Sequence, residues 1–232
     1  MELKSTSIMS FFAISDVISL LNMSSGFLSV ISAINHDFRM SAILMIIAIM
    51  FDSVDGWVAR KINRNDKLQF GKNIDSLSDI VSFGVAPAIL LYSLGQTTSQ
   101  SPMILITLIS LLMLICGVLR LTRYNVIADY LNYNGFIGFP IPGIAIILST
   151  FYLSGLFNMY LALILMTVVS ILMVSNIKYP KFDNVIVIGF AVILIILIII
   201  PIETTIYNTN IPALMLLILA LYYLLINLIC KK

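Results

Sequence analysis

Apolar stretches recur along this chain at 16–35, 41–60, 76–95, 102–123, 136–155, 158–177, 184–201 and 211–229, each near the ~20 residues a helix needs to cross a bilayer. Short polar intervals separate them. The pattern predicts an all-α integral membrane protein, a polytopic bundle of about eight transmembrane helices. Ahead of the first run, STSIMSFFAI (5–14) sets Ile8, Phe11 and Phe12 on one side of a helix, which predicts a short N-terminal interfacial helix. Ser15 and Asp16 are expected to cap the first span, and a cleaved signal peptide is not expected, because no small-residue cleavage site follows the basic start.

Composition adds to this picture. With 60% hydrophobic and 10% charged residues and a mean hydropathy of +1.08, the chain has too little polar surface for an ordinary soluble domain. Nothing in it points to a nucleic-acid partner. The distribution of charge predicts the orientation. If the amino terminus is cytoplasmic, every one of the 13 Lys and Arg residues except Arg39 falls on the cytoplasmic side, as the positive-inside rule requires. Both termini are then cytoplasmic, in a multi-pass protein of the cell membrane. Cys116 and Cys230 are far apart and flanked by apolar residues, so neither a disulfide nor a metal motif is indicated.

Candidate chemistry is concentrated in one stretch. Asp52, Asp55, Gly56 and Ala59 in FDSVDGWVAR share one helix face, and Asp75 and Asp79 in GKNIDSLSDI are four residues apart on another. Two neighbouring helices so built would aim four carboxylates at one spot. Like charges in so apolar a chain repel and must be neutralised. Nearby lysines and arginines at a membrane surface could do it. A hard divalent cation suits an all-oxygen donor set better, and two ions could clamp a phosphoryl group. Gly56 and Gly71 let the backbone approach a ligand, and Arg60 ends the first face with a positive fork.

Asp52, Asp55, Gly56, Ala59 and Arg60, then Gly71, Asp75 and Asp79, occupy every fixed position of the signature of the CDP-alcohol phosphotransferases, integral membrane enzymes that this chain resembles. The spacer departs from the usual eight residues, being ten from Lys61 to Phe70. DSLSDIVSFGVAPA, RLTRYNV and GFPIPG look like segments of the phosphatidylserine synthase branch of that family. No long polar linker, repeat or low-complexity tract divides the chain, so one membrane domain over 1–232 is expected, with its catalytic core at about 15–178 and two additional helices in 184–229. The resemblance implies transfer of a phosphatidyl or archaetidyl group from CDP-diacylglycerol or CDP-archaeol to L-serine, with release of CMP. Two divalent cations, Mg²⁺ or Mn²⁺, would be held by Asp52, Asp55, Asp75 and Asp79, with Asp79 also the general base. Asn22, Ser25, Asp52, Gly56, Ala59, Arg60 and Gly71 would bind the CDP-lipid on the cytoplasmic side, and a homodimer is expected.

Other polar residues carry two readings each. Asn22 and Ser25 match a pattern in the family's first helix, although a buried amide also suits an interhelical hydrogen bond. Arg120 and Arg123 are placed to read the serine carboxylate or the diphosphate, with Asn125, Ser76 and Ser78 beside them; the alternative is two snorkelling cations. Pro140 and Pro142 either distort the fifth span beside a cavity or mark a loop-to-helix transition. His36, in the outer loop, is read as solvated. A different acceptor, glycerol phosphate or inositol phosphate, would demand a further basic cluster, so serine is favoured. A divalent-cation transporter would place its acids at the bilayer midplane, whereas these sit where apolar runs meet a basic loop.

Overall fold

The computed structural model describes residues 7–8, 11–62, 69–98, 101–127, 135–180, 185–200, 205–206 and 209–229. Nearly all of them are helical. The chain runs α1 (Ile14–Ile34), α2 (Phe38–Lys61), α3 (Phe70–Asp79), a π-helical segment (Ile80–Val85), α4 (Ala86–Thr97), α5 (Met103–Ile127), β1 (Gly135–Ile137), α6 (Pro142–Leu153), α7 (Met159–Val174), β2 (Lys178–Pro180), α8 (Val185–Ile199), β3 (Thr205–Ile206), β4 (Thr209–Asn210) and α9 (Ile211–Ile229). Four helical stretches are long and apolar enough to cross a membrane: Ile14–Ile34, Phe38–Ala59, Phe70–Thr97 and Met103–Ile127. Four shorter apolar helices follow them: Pro142–Leu153, Met159–Val174, Ile186–Ile199 and Ile211–Ile226. The protein is thus a bundle of membrane helices.

Helix α1 presents Ser15, Ser19, Asn22, Ser25, Gly26, Ser29 and Ala33 as a buried stripe of small and polar residues. Small side chains let helix backbones approach in an apolar medium, and their hydroxyls find partners across the gap. Ser25 donates to the Leu44 carbonyl at 2.8 Å and Ser29 to the Ser41 carbonyl at 2.9 Å, which joins α1 to α2. At Gly26 a Cβ would lie 2.5 Å from the Ser82 Cα. A backbone atom cannot swing aside as a side chain does, so Gly26→Ala should cost about 1–3 kcal/mol, read as a lower thermal midpoint in detergent.

The helix running from Phe70 to Thr97 has 28 residues, roughly 42 Å at 1.5 Å per residue against about 30 Å of hydrocarbon. It widens between Ile80 and Val85, where the Ala86 N–H reaches back to the Val81 carbonyl. Pro87, one residue on, has no N–H to return, and its ring presses on the carbonyl four residues before it. The wider turn relieves that conflict directly after Asp79.

Two expectations change, and a third falls mostly outside the described residues. Helix α1 begins at Ile14 with Ala13 as its N-cap, not at the Ser15–Asp16 pair; Asp16 instead accepts the Ala13 N–H at 2.9 Å. Most of the expected interfacial helix at 5–14 lies outside the described residues; within it, the Phe11 N–H bonds the Ile8 carbonyl at 3.0 Å in a turn. The fifth run, 136–155, is helical only from Pro142, because Gly135–Ile137 is an extended strand paired antiparallel with Lys178–Pro180. Pro142 occupies the first turn of α6, where its missing N–H costs nothing, so the prolines mark a loop-to-helix transition. Gly138 turns the chain with φ +77, and a Cβ there would lie 2.1 Å from the Met173 carbonyl oxygen.

This two-stranded ribbon is fastened to the last helix. Phe139, Tyr179 and Tyr223 form a ring cluster with centroids 5.5–5.9 Å apart. The Tyr223 hydroxyl donates to the Pro180 carbonyl at 2.8 Å and the Tyr179 hydroxyl to the Leu224 carbonyl at 3.3 Å. The main core joins buried residues of α2, α4, α5, α6, α7 and α9, and a smaller one gathers Ile46, Leu194, Ile195, Ile198, Ala213 and Leu216.

Candidate functional site

Helices α2 and α3 converge with α1 on one cluster of acids. Carboxylate oxygens of Asp52, Asp55 and Asp75 all lie within 4.8 Å of one another. Spacing explains the convergence: Asp52 and Asp55 are one turn apart on α2, and Asp75 is one turn before Asp79 on α3. Asp55 is buried and accepts the Ser19 hydroxyl of α1 at 2.6 Å. Asp79, also buried, accepts the Asn22 amide at 3.1 Å through Oδ1, and its carboxyl group is in hydrogen-bonding reach of Asp52.

Three like charges this close raise one another's energy wherever water is scarce. A cation among them removes that cost, and the donor set of carboxylate oxygens without His or Cys suits a hard divalent ion. The residues present therefore fit a divalent cation. Asp79 falls outside the group of three, held instead by Asn22 and beside Asp52. Asn22 is itself fixed: it is fully buried and its backbone carbonyl accepts the Ser82 hydroxyl at 2.9 Å. Its side-chain Oδ1 has no partner among the described residues.

The remaining expected residues distribute around this cluster. Gly56 and Ala59 are half-buried on the Asp52 helix, and Gly71 is buried in the first turn of α3. The Arg60 side chain lies outside the described residues. Ser25 spends its hydroxyl on the Leu44 carbonyl, as already noted. Asn125 donates to the Ser76 hydroxyl at 2.7 Å, and Lys72 donates to the Asn125 carbonyl at 3.0 Å, so this set ties the end of α5 to α3. Ser78 is buried, and its hydroxyl has no partner among the described residues.

Arg120 and Arg123 are three residues apart, yet they do different things. Arg120 is 5% exposed, interacts electrostatically with Asp79 and Asp52, and has a buried Nε with no partner among the described residues. Its guanidinium carbon lies 5.4 Å from the Tyr124 ring centroid and 5.6 Å from that of Phe136. Arg123 instead donates to the carbonyls of Val174 at 2.9 Å, Ile137 at 2.9 Å and Met173 at 3.0 Å. Its fork is taken up by backbone.

Sequence reasoning missed Ser19, Ser82, Tyr124 and Phe136. The signal for Ser19 was present, since it continues the helical spacing of Ser15, Asn22 and Gly26 on an otherwise apolar run. Phe136 carried none, because its meeting with Arg120 depends on the fold of the ribbon.

The profile of the family described as CDP-alcohol phosphatidyltransferase matches residues 12–230. Archaetidylserine synthase of Methanothermobacter thermautotrophicus is 46% identical over 177 residues, covering 76% of this chain and 73% of that protein. The CDP-diacylglycerol–serine O-phosphatidyltransferase of Methanocaldococcus jannaschii is 42% identical over 179 residues, covering 77% and 79%. That of Bacillus subtilis is 38% identical over 171 residues, covering 72% and 90%.

Proposed function

This chain belongs to the CDP-alcohol phosphatidyltransferase family, and from that premise we propose that it transfers a phosphatidyl or archaetidyl group from CDP-diacylglycerol or CDP-archaeol to the hydroxyl of L-serine, releasing CMP. The observation that carries this reading is the convergence of Asp52, Asp55 and Asp75 beside a buried Asp79 held by Asn22, in a chain 46% identical to an archaetidylserine synthase. The bundle has about eight spans, the shorter apolar helices completing the four long ones, with both termini and the acid cluster facing the cytoplasm. The distribution of Lys and Arg supports this orientation.

Asp52, Asp55 and Asp75 would hold the divalent cations, two of them and either Mg²⁺ or Mn²⁺, with Asp79 in reach of one. Bound there, such ions supply charge neutralisation for the diphosphate and for the leaving phosphate. The rest is the work of this chain's own groups. Gly56, Ala59 and Gly71 leave room beside the acids for the CDP moiety, and Asn22 orients Asp79 through Oδ1, leaving Oδ2 for a proton. As the serine oxygen bonds the β-phosphorus, Asp79 takes the hydroxyl proton and the bond from that phosphorus to the bridging oxygen breaks, so that CMP departs. Arg120 supplies a fork for the serine carboxylate.

Purified protein given labelled CDP-lipid and a panel of alcohols should release CMP with serine and far less with glycerol phosphate, inositol phosphate or ethanolamine. Chelation with EDTA should stop the release, and Mn²⁺ or Mg²⁺ should restore it. Release driven equally by another alcohol would overturn serine as acceptor, and full activity after exhaustive chelation would overturn the cation sites.

A further inference from the structure

We propose that the β1–β2 ribbon is a positioning device for the acceptor site, with Phe136 as the residue that, beside Tyr124, flanks the Arg120 guanidinium and sets its orientation. The inference rests on the reading of Arg120 as an acceptor-binding group, and it extends that role to residues outside the acid cluster and its signature. Arg120 is buried, its Nε has no partner among the described residues, and its guanidinium lies within cation–π range of both rings. The two rings are neighbours, with centroids 6.1 Å apart, so both flank one side of the guanidinium and leave N–H groups on its other side for a ligand. The carboxylate of an amino-acid acceptor is the group that such N–H groups match with two parallel hydrogen bonds.

Phe136 would be a poor support if the strand carrying it drifted, and the fold anchors that strand on both sides. Arg123 donates to Ile137, the next residue along β1, and to Met173 and Val174 at the end of α7. Phe136 pairs in register with Tyr179 of β2, whose ring is buried against Tyr223 of α9. The last helix, remote from the acids in sequence, thereby takes part in fixing the acceptor site. Phe136 acts through Arg120 and is a positioning residue, not a catalytic one.

The test compares KM for the acceptor with KM for the CDP-lipid in Phe136→Leu and Phe136→Tyr, alongside the parent enzyme. Phe136→Leu keeps apolar bulk and loses the ring face, so it should raise the acceptor KM by about 3–30-fold and leave the CDP-lipid KM within about twofold of the parent. Phe136→Tyr keeps the face and should behave as the parent. A role confined to packing would shift the thermal midpoint or both KM values together. An unchanged acceptor KM in Phe136→Leu, a proportional rise in both KM values, or equal impairment of Phe136→Tyr would each overturn the proposal. Should Phe136→Leu fail to fold, Phe136→Met, which also keeps apolar bulk and lacks a ring, carries the same test. The parent enzyme separates the two readings: if it uses an alcohol other than serine, the proposed function fails, while the KM ratio for that alcohol still decides the role of Phe136.

Discussion

Asp79→Asn should reduce turnover by about 10²–10⁴-fold or more, the share a positioned general base contributes, while CDP-lipid binding stays close to that of the parent. The substitution is isosteric, and the Asn22 amide that now donates to Asp79 at 3.1 Å can pair with the new carboxamide oxygen instead. Packing of α1 against α3 is therefore kept, and only the capacity to accept a proton is lost. Asp52→Asn, Asp55→Asn and Asp75→Asn should behave differently. Each removes a carboxylate from the group of three, so the Mn²⁺ concentration needed for half-maximal activity should rise by at least the 10–100-fold or so that loss of even an outer-shell metal partner brings. Single-turnover CMP release across a Mn²⁺ titration, with CDP-lipid binding measured separately, distinguishes the two behaviours. Near-parental turnover by Asp79→Asn would remove it from the proton transfer.

Arg120→Ala should lower kcat/KM for serine by about 30-fold to several thousand-fold, the equivalent of the roughly 2–5 kcal/mol that follows truncation of one partner of a buried charge pair. The effect should fall on the serine KM much more than on that of the CDP-lipid. Arg120→Lys keeps the charge but not the planar fork and should recover only part of the loss. Ethanolamine, which lacks the carboxylate, should be a poor acceptor for the parent and should discriminate little between parent and variant. Arg123→Ala provides the contrast, since its guanidinium is engaged by the carbonyls of Ile137, Met173 and Val174. Its loss should lower stability as well as acceptor affinity, because the part-buried bonds to the Ile137 and Met173 carbonyls lose their charged donor. If Arg120→Ala instead weakened serine and CDP-lipid alike, Arg120 would serve the diphosphate, and serine selection would shift to the Ser78 hydroxyl, which has no partner among the described residues.

The sequence by itself determined the class of the protein, the helices that carry its chemistry, and the acids at its centre. Those features are local. A run of apolar residues fixes a membrane helix wherever it packs, and the i, i+3 and i+4 spacings of Asp52, Asp55, Gly56, Asp75 and Asp79 fix which side chains share a face. Helix ends were less legible. Ala13 rather than Ser15 caps α1, and residues 136–141 are not helical, because the choice between another helical turn and a strand at Gly135–Ile137 rests on whether a partner strand arrives from Lys178–Pro180. Only tertiary structure decided that Ser19 would bond Asp55 and that Arg120 and Arg123 would part company. It also decided that α9 would reach the site through Tyr223 and the ribbon. Helical spacing gives the direction a side chain leaves its own axis, but what it meets depends on how neighbouring axes cross and on loop closures spanning many residues, which no local pattern encodes.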